Sequence, residues 1–314
     1  MTARRLSFKA MGSPCELHLH VESQARFQAV AEAALAEIAR LERKYSRYLD
    51  DSLVSRINAC AGDPNGTLLD DETASLLDYA ALAWEQSGGL FDISSGVLRR
   101  AWNFRSGRLP APEEIDALRP LVGWDKVRWQ RPHLVLPLAG MQLDFGGYVK
   151  EYAADRVAGQ CRDLGLRHGL IDLGGDLAVV GPHPDGSPWR VGIRHPRAPE
   201  GAIASVALSA GGIATSGDYE RCLVVAGRRY AHLLNPKTGW PVRSGLASVT
   251  VAASHCLIAG TASTIAMLKG ERAGPAWLDR LGVPSLRIDA EGNLAGSLAG
   301  RPLERGYAQN SSTA

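Results

Sequence analysis

From residue 169 the chain becomes a succession of strand-like segments, and this feature most limits what it can fold into. "GLIDLGGDLAVVG", "WRVGIRHP", "AIASVALS", "GGIATSG", "RCLVVAG", "RRYAHLLNP" and "ASVTVAAS" follow one another. Short apolar or alternating runs separated by Gly, Pro, Asn and Asp read as strands. Near the start, "SPCELHLHVES" (13–23) alternates in the same way. It places Cys15, Leu17 and Leu19 on one face and Glu16, His18 and His20 on the other. The two histidines have the spacing to share a metal, but a solvated sheet face is the simpler reading.

Helical patterns surround these strands. Ser23 caps "QARFQAVAEAALAEIARLERKYSR", and Asp71 opens "ETASLLDYAALAWEQSGG", which stops at Gly88 and Gly89. "YVKEYAADRVAGQCRDLG" reads as a third helix and "LIAGTASTIAMLKG" as a fourth, with a further helix near 275–281. Residues 91–133 are irregular and rich in Trp, Arg, Pro and Gly, as functional loops often are. "HLVLPL" is a short strand and "MQLDFGG" the end of another. The expected fold is therefore α+β, a largely antiparallel sheet with packed helices. Composition marks no boundary, so residues 1–314 are read as one domain of two intimately joined subdomains. Its core spans about 8–290 and a tail covers 291–314.

Composition removes several functional classes. Hydrophobic residues make up 45% and charged residues 22%, as in an ordinary globular chain. A net charge of +2 is too small to argue for nucleic acid, and the densest basic run, "RRAWNFRSGR", reads as a solvated loop. The five cysteines include no C-x-x-C pair, which favours free thiols over a disulfide framework or a zinc site. No stretch approaches the roughly 18–20 apolar residues of a membrane span. The start lacks an apolar signal core, and Cys15 behind Pro14 does not resemble a lipoprotein cleavage site. The sequence as given reads as soluble, with its compartment open.

Five segments depart from what a core requires. In "LDFGGYVKEYAAD" (143–155), Gly146 and Gly147 precede a helix whose first turn carries Lys150. A lysine there opposes the helix dipole and makes sense facing a phosphate, although a tight turn with a surface lysine is the plainer alternative. "DLGGDL" (172–177) is either a hairpin turn or glycine backbone against a ligand ring, with Asp176 as acceptor. "IATSGDYER" gathers Thr215, Ser216, Asp218 and Tyr219, and "YAHLLNPKTGWPV" places His232 on a strand ahead of a turn. "CLIAGTASTIAML" sets Gly260 and Thr264 on one helical face, for close packing or for a ligand.

In this order, "LDFGGYVKEYAAD", "IDLGGD", "IATSGDY", "AHLLNPKTGWPV" and "AGTAST" resemble the ApbE family of FAD:protein FMN transferases. "AMGSPCELHL", "KYSRYLDDSLVSRIN" and "GGLFDISSGVLRRAW" extend the resemblance, which runs from about residue 8 to about 290. It implies an ApbE-like, T-fold-related two-layer architecture with FAD in a cleft between the subdomains. It also implies transfer of FMN to a threonine of a partner flavoprotein, release of AMP, and assistance by Mg2+. Neither nucleic acid nor a membrane span enters that picture, and the family commonly works on the outer face of the bacterial inner membrane.

Carried onto this chain, the resemblance implies that Met11, Tyr48, Asp92, Gly175, Asp176, Thr215, Ser216, Asp218, Tyr219 and His232 surround the flavin and adenosine. Lys150 would lie by the diphosphate with Asp155 in support, and His232 joins them as a catalytic candidate. Thr264 and the backbone carbonyl of Gly147 would hold the metal. Two positions depart from the family. Gly260 stands where the family carries its metal-binding aspartate, and Glu151 stands where it usually has glycine. Asp144, Asp172 and Asp176 are candidates to compensate, and Glu151 either opposes the phosphate or relocates the ligand. The readings that follow are a transferase with a modified metal site, a flavin-binding protein with weak or lost catalysis, and an FAD pyrophosphatase.

Overall fold

The strands expected from alternation gather into one large sheet. In the computed structural model, which describes residues 1–219, 221–242 and 245–299, β1 (Thr2–Ala10) and β2 (Ser13–Val21) lead into helices α1 (Gln24–Tyr45) and α2 (Leu53–Ala59). Strand β3 (Thr67–Leu68), helix α3 (Asp71–Ser87), a 3-10 helix (Ile93–Arg100) and α4 (Pro112–Leu118) follow. Then come β4 (Arg128–Gln130), β5 (His133–Val135) and α5 (Val149–Asp163). The strand-rich part comprises β6 (Gly169–Leu173), β7 (Asp176–Gly181), β8 (Trp189–His195), β9 (Ala198–Leu208) and β10 (Gly212–Gly217). It continues with β11 (Cys222–Val225), β12 (Arg228–Ala231) and β13 (Leu246–Ala253). Helix α6 (Cys256–Leu281), β14 (Ser285–Asp289) and β15 (Leu294–Ala295) come last.

Eight strands pair in the order β1-β2-β6-β7-β10-β13-β14-β15, every neighbour antiparallel. Alternation assigns their side chains to two faces. Ile171 and Leu173 of β6 join Cys15, Leu17 and Leu19 of β2 in a core shared with α1, α5 and α6. Leu170, Leu177 and Val179 point the other way, into a core closed by Val191, Ile193, Ala204 and Val206 of the β8–β9 hairpin. With both faces covered, the central strands read as near-continuous apolar runs, "LAVV" in β7 and "ASVTV" in β13. Each fully buried Leu, Ile or Val contributes roughly 1.5–3 kcal/mol. No helix among the described residues is long and apolar enough to cross a membrane.

The helix termini follow their capping chemistry. Ser23 accepts the Arg26 N–H at the start of α1, and Asp70 accepts the Thr73 N–H at the start of α3. Helix α3 ends on Gly88 in the left-handed conformation. The separate helix expected near 275–281 is present as the second part of α6, set off from the first by non-helical backbone at Gly270, whose φ is 80°.

Four expectations are corrected. "MQLDFGG" is not a strand but an extended loop. The Asn58 side chain accepts from the Leu143 N–H at 2.7 Å and donates to the Leu143 carbonyl at 3.0 Å, so one amide replaces a neighbouring strand. His232 lies one residue beyond β12, although its N–H still bonds the Arg221 carbonyl at 2.9 Å. The irregular basic run begins inside the 3-10 helix, and Arg99 there lies across the Phe104 ring at 5.5 Å rather than in open solvent. The chain does not leave the core at residue 291, because β15 pairs with β14 and Leu298 is buried.

Candidate active site

The first turn of α5, the β6–β7 turn, the end of β10 and the first half of α6 meet at one end of the sheet. The β6–β7 connection is a two-residue loop, since Leu173 pairs directly with Asp176. Gly174 and Gly175 have φ of 68° and 89°, the left-handed pair that a tight hairpin of this hand requires. The hairpin reading holds, and a side chain built at Gly175 would meet only open space. Its N–H donates to Asp172 at 2.7 Å, which fixes the turn. Directly behind it Asp176, 5% exposed, receives Lys150 Nζ at 2.5 Å and the Thr215 N–H at 3.3 Å. Burial alone would lower the Lys150 pKa, but Asp176 and Glu151 outweigh it and raise it, so the ammonium stays charged.

On the α6 side, hydroxyls form a chain whose direction can be derived. Ser263 Oγ donates to the Gly260 carbonyl at 2.9 Å. Having one proton, it must accept from Ser216 Oγ, 2.8 Å away. Ser216 in turn must accept from Thr264 Oγ1 at 2.9 Å. Thr264 therefore uses its proton inward and keeps its lone pairs for an electron-poor ligand. Thr215 Oγ1 bonds Thr250 Oγ1 at 2.8 Å on the same sheet end.

A second set of groups is cationic. His232 Nδ1 is buried with no hydrogen-bond partner. Burial first, then the charges of Arg99 and Arg221, push its pKa down to about 4, so the ring is neutral near pH 7. Burial also lowers Arg99, which lies within the field of Asp144, Arg47 and Arg221. Arg47 itself pairs with Asp144 at 2.7 Å. Neutral histidine among guanidinium groups is an environment suited to a polyanion.

Several expected residues have other occupations. Asp155 accepts the Cys256 and Leu257 N–H groups at 2.8 and 2.9 Å, so it positions the start of α6. Both Asp92 oxygens are bound within the protein, by the Ser94 N–H and hydroxyl and by the Trp124 N–H. Through these bonds Asp92 organises the loop. Asp218 binds Arg197 through both oxygens, at 2.6 and 2.9 Å. Tyr48 is 84% exposed. Met11 has a φ of 50°, and its N–H donates to Glu42 at 2.9 Å. A Cβ at Gly217 would strike the Tyr219 ring, which packs on that glycine. Gly147 lies on an exposed turn near Phe91. An open cleft of about 900 Å3 lies elsewhere, between Trp84, Arg119 and Lys237, and of the expected residues it touches only Asp92.

The ApbE family profile matches residues 11–286. The chain belongs to the ApbE family. Its curated relatives include the FAD:protein FMN transferase of Salmonella typhimurium, 31% identical over 259 residues that cover 79% of this chain and 73% of that one. The FAD:protein FMN transferase of Haemophilus influenzae is 29% identical over 280 residues, covering 85% and 80%. Among solved structures, the ApbE protein of Thermotoga maritima superposes with a TM-score of 0.85 at 31% identity, covering 94% of this chain and 97% of that one. The apo flavinyl transferase ApbE of Pseudomonas stutzeri gives 0.85 and 31%, covering 96% and 98%.

Within this ApbE fold, some participants were not visible as motifs. Arg99 lies in a run that looks merely basic, where only the neighbouring aromatic residues Trp102 and Phe104 hint that it turns inward, and Arg221 ends the segment "IATSGDYER" without being singled out there. Glu151 was legible as a departure but not by its surroundings. It is 8% exposed, and its pKa is raised by burial and by the neighbouring Asp176. No group of three His, Cys, Asp or Glu side chains arranged to hold a metal occurs among the described residues. Asp144 and Asp172, the other candidate carboxylates, are bound to Arg47 and to the Gly175 N–H.

Proposed function

We propose that this chain is an FAD:protein FMN transferase that moves the FMN half of FAD onto a threonine hydroxyl of a partner flavoprotein and releases AMP. One observation carries the reading. The Lys150–Asp176 pair, the Gly174-Gly175 turn with open space at Gly175, and the Ser263–Ser216–Thr264 hydroxyl chain converge at one end of the sheet, in a chain of the ApbE family.

In this reaction the acceptor oxygen bonds to the phosphorus of the FMN half. The bond from that phosphorus to the bridging oxygen breaks, and AMP leaves with that oxygen. The hydroxyl proton passes to a base. His232 suits this task because its ring is neutral and Nδ1 has no internal partner. Bound diphosphate offsets the charges of Arg99 and Arg221 and so raises the basicity of the ring. Lys150, charged and beside the glycine turn, neutralises phosphate oxygens. Asp176 holds that lysine in place, and Asp155 holds α6 against α5.

The donor set fits Mg2+. Thr264 keeps free lone pairs by the hydroxyl count above, and the Gly147 carbonyl lies on an exposed turn, so the available donors are oxygens. When bound, Mg2+ offsets the negative charge of the diphosphate.

Chromatography of the nucleotides tests the proposal. With FAD, Mg2+ and an acceptor domain bearing an exposed threonine, AMP is expected only when the acceptor is present. Equal AMP without acceptor would make the protein an FAD pyrophosphatase. Stoichiometrically retained FAD with no AMP would make it a flavin-binding protein.

A further inference from the structure

Gly260 is bare because another residue occupies its space. A Cβ built there would lie 2.6 Å from both Cγ and Oε1 of Glu151 and 2.9 Å from its Cδ. No helix can carry a side chain at 260 while Glu151 holds this position. Glu151 is 8% exposed, and its Oε2 is buried with no hydrogen-bond partner. Lys150, the nearest cation in sequence, is engaged by Asp176 at 2.5 Å. Two buried carboxylates thus share one ammonium, and the second lacks a counter-charge. An acid left in this state is costly unless something positive joins it. The Gly260 backbone that Glu151 covers also begins the hydroxyl chain through Ser263 and Ser216 to Thr264.

We propose that Glu151 is the carboxylate arm of a divalent-cation site, reaching from α5 onto the bare backbone of Gly260 and facing the hydroxyl row that ends in Thr264. The donors are oxygens, which selects Mg2+ or Mn2+ over zinc. The Cys256 thiol is turned away toward the Ile213 carbonyl. A site with so few side-chain ligands is completed by water and substrate phosphates, so the inference rests on the transferase reading. Gly260 and Glu151 are then one device, in which the carboxylate is supplied across the helix interface and the glycine makes room for it.

Titration of Mn2+ into the otherwise metal-free protein, followed by electron paramagnetic resonance without FAD or acceptor, tests this directly. Wild type is expected to bind one ion. Glu151→Gln, nearly isosteric, is expected to weaken binding by at least about 10-fold while the circular dichroism spectrum is unchanged. Gly260→Asp alone is expected to lose binding because its side chain collides with Glu151. The double variant Glu151→Gly/Gly260→Asp is expected to regain it. Equal affinity in wild type and Glu151→Gln, or no binding by wild type, would overturn the proposal. If FMN transfer persists while Mn2+ affinity ignores Glu151, this inference fails and the transferase reading stands. If Mn2+ binds through Glu151 and no FMN is transferred, the cation site stands and the transferase reading fails.

Discussion

Asp155 on α5 grips the start of α6 by accepting the backbone N–H groups of Cys256 and Leu257 at 2.8 and 2.9 Å. It serves helix α6, which has no cap from its own N-cap residue, His255. The Gly260–Thr264 face is thereby held at a fixed height against Lys150 and Glu151. Asp155→Asn keeps the shape but removes the charge and one acceptor. A loss of about 1–3 kcal/mol in urea unfolding is expected, with weaker FAD binding because α6 shifts. Unchanged stability would remove Asp155 from its positioning role.

Lys150 and Asp176 are separable by a double-mutant cycle. Lys150→Gln leaves Asp176 buried without its cation. A cost of about 1–3 kcal/mol is expected, less than for a fully enclosed pair because the lysine side chain keeps 23% exposure. Lys150→Gln/Asp176→Asn should recover most of that stability, yet transfer should stay about 100-fold or more below wild type. Recovery of activity along with stability would mean that the lysine is structural only.

His232 should report its cationic surroundings. Its pKa in the ligand-free fold is about 4, below the ordinary 6.5. The folded state then binds fewer protons than the unfolded state between these values. The stability this gives is complete above about pH 6.5 and is lost as pH falls toward 4. Ring resonances in nuclear magnetic resonance should show neutral His232 at pH 5.5. Arg99→Gln should raise its pKa. A ring that titrates near 6.5 in both proteins would contradict the electrostatic description.

Glu72 governs a different part of the acid response. It receives Arg40 at 2.6 Å and Lys44 at 2.7 Å, which together with Tyr152 tie α1, α3 and α5. The Arg40 hydrogen bond chiefly holds its pKa down, to about 2 against an ordinary 4.5. Stability from this group is present above about pH 4.5 and disappears as pH falls toward 2. Thermal unfolding across that range should lose part of its pH dependence in Glu72→Gln, while the dependence between pH 4 and 6.5 stays.

Local signals were the legible ones. The alternation of Cys15, Leu17 and Leu19, the Gly174-Gly175 turn and the helix stop at Gly88 each depend on neighbours in sequence, and each appears where expected. Thr264, Ser216 and Lys150 were legible through ordered motifs, and the fold brings them to one end of the sheet. What escaped was decided between distant segments. Asn58 turns an apparent strand into a loop by binding Leu143, Asp218 is taken by Arg197, and Arg99 is drawn inward. For Glu151 the sequence left two readings open, a charge opposing the phosphate or a relocated ligand for the one missing at Gly260. Only the packing of α5 on α6 reveals that one side chain fills the space the other leaves.

The central claim concerns the fate of the flavin, and intact-mass spectrometry of the acceptor measures it most directly. After incubation with the protein, FAD and Mg2+, the acceptor is expected to gain the mass of one FMN less one water, with AMP released in equal amount. The gain should vanish when the acceptor threonine is changed to alanine. An acceptor of unchanged mass beside consumed FAD, or an adduct that survives loss of the threonine, would contradict the account.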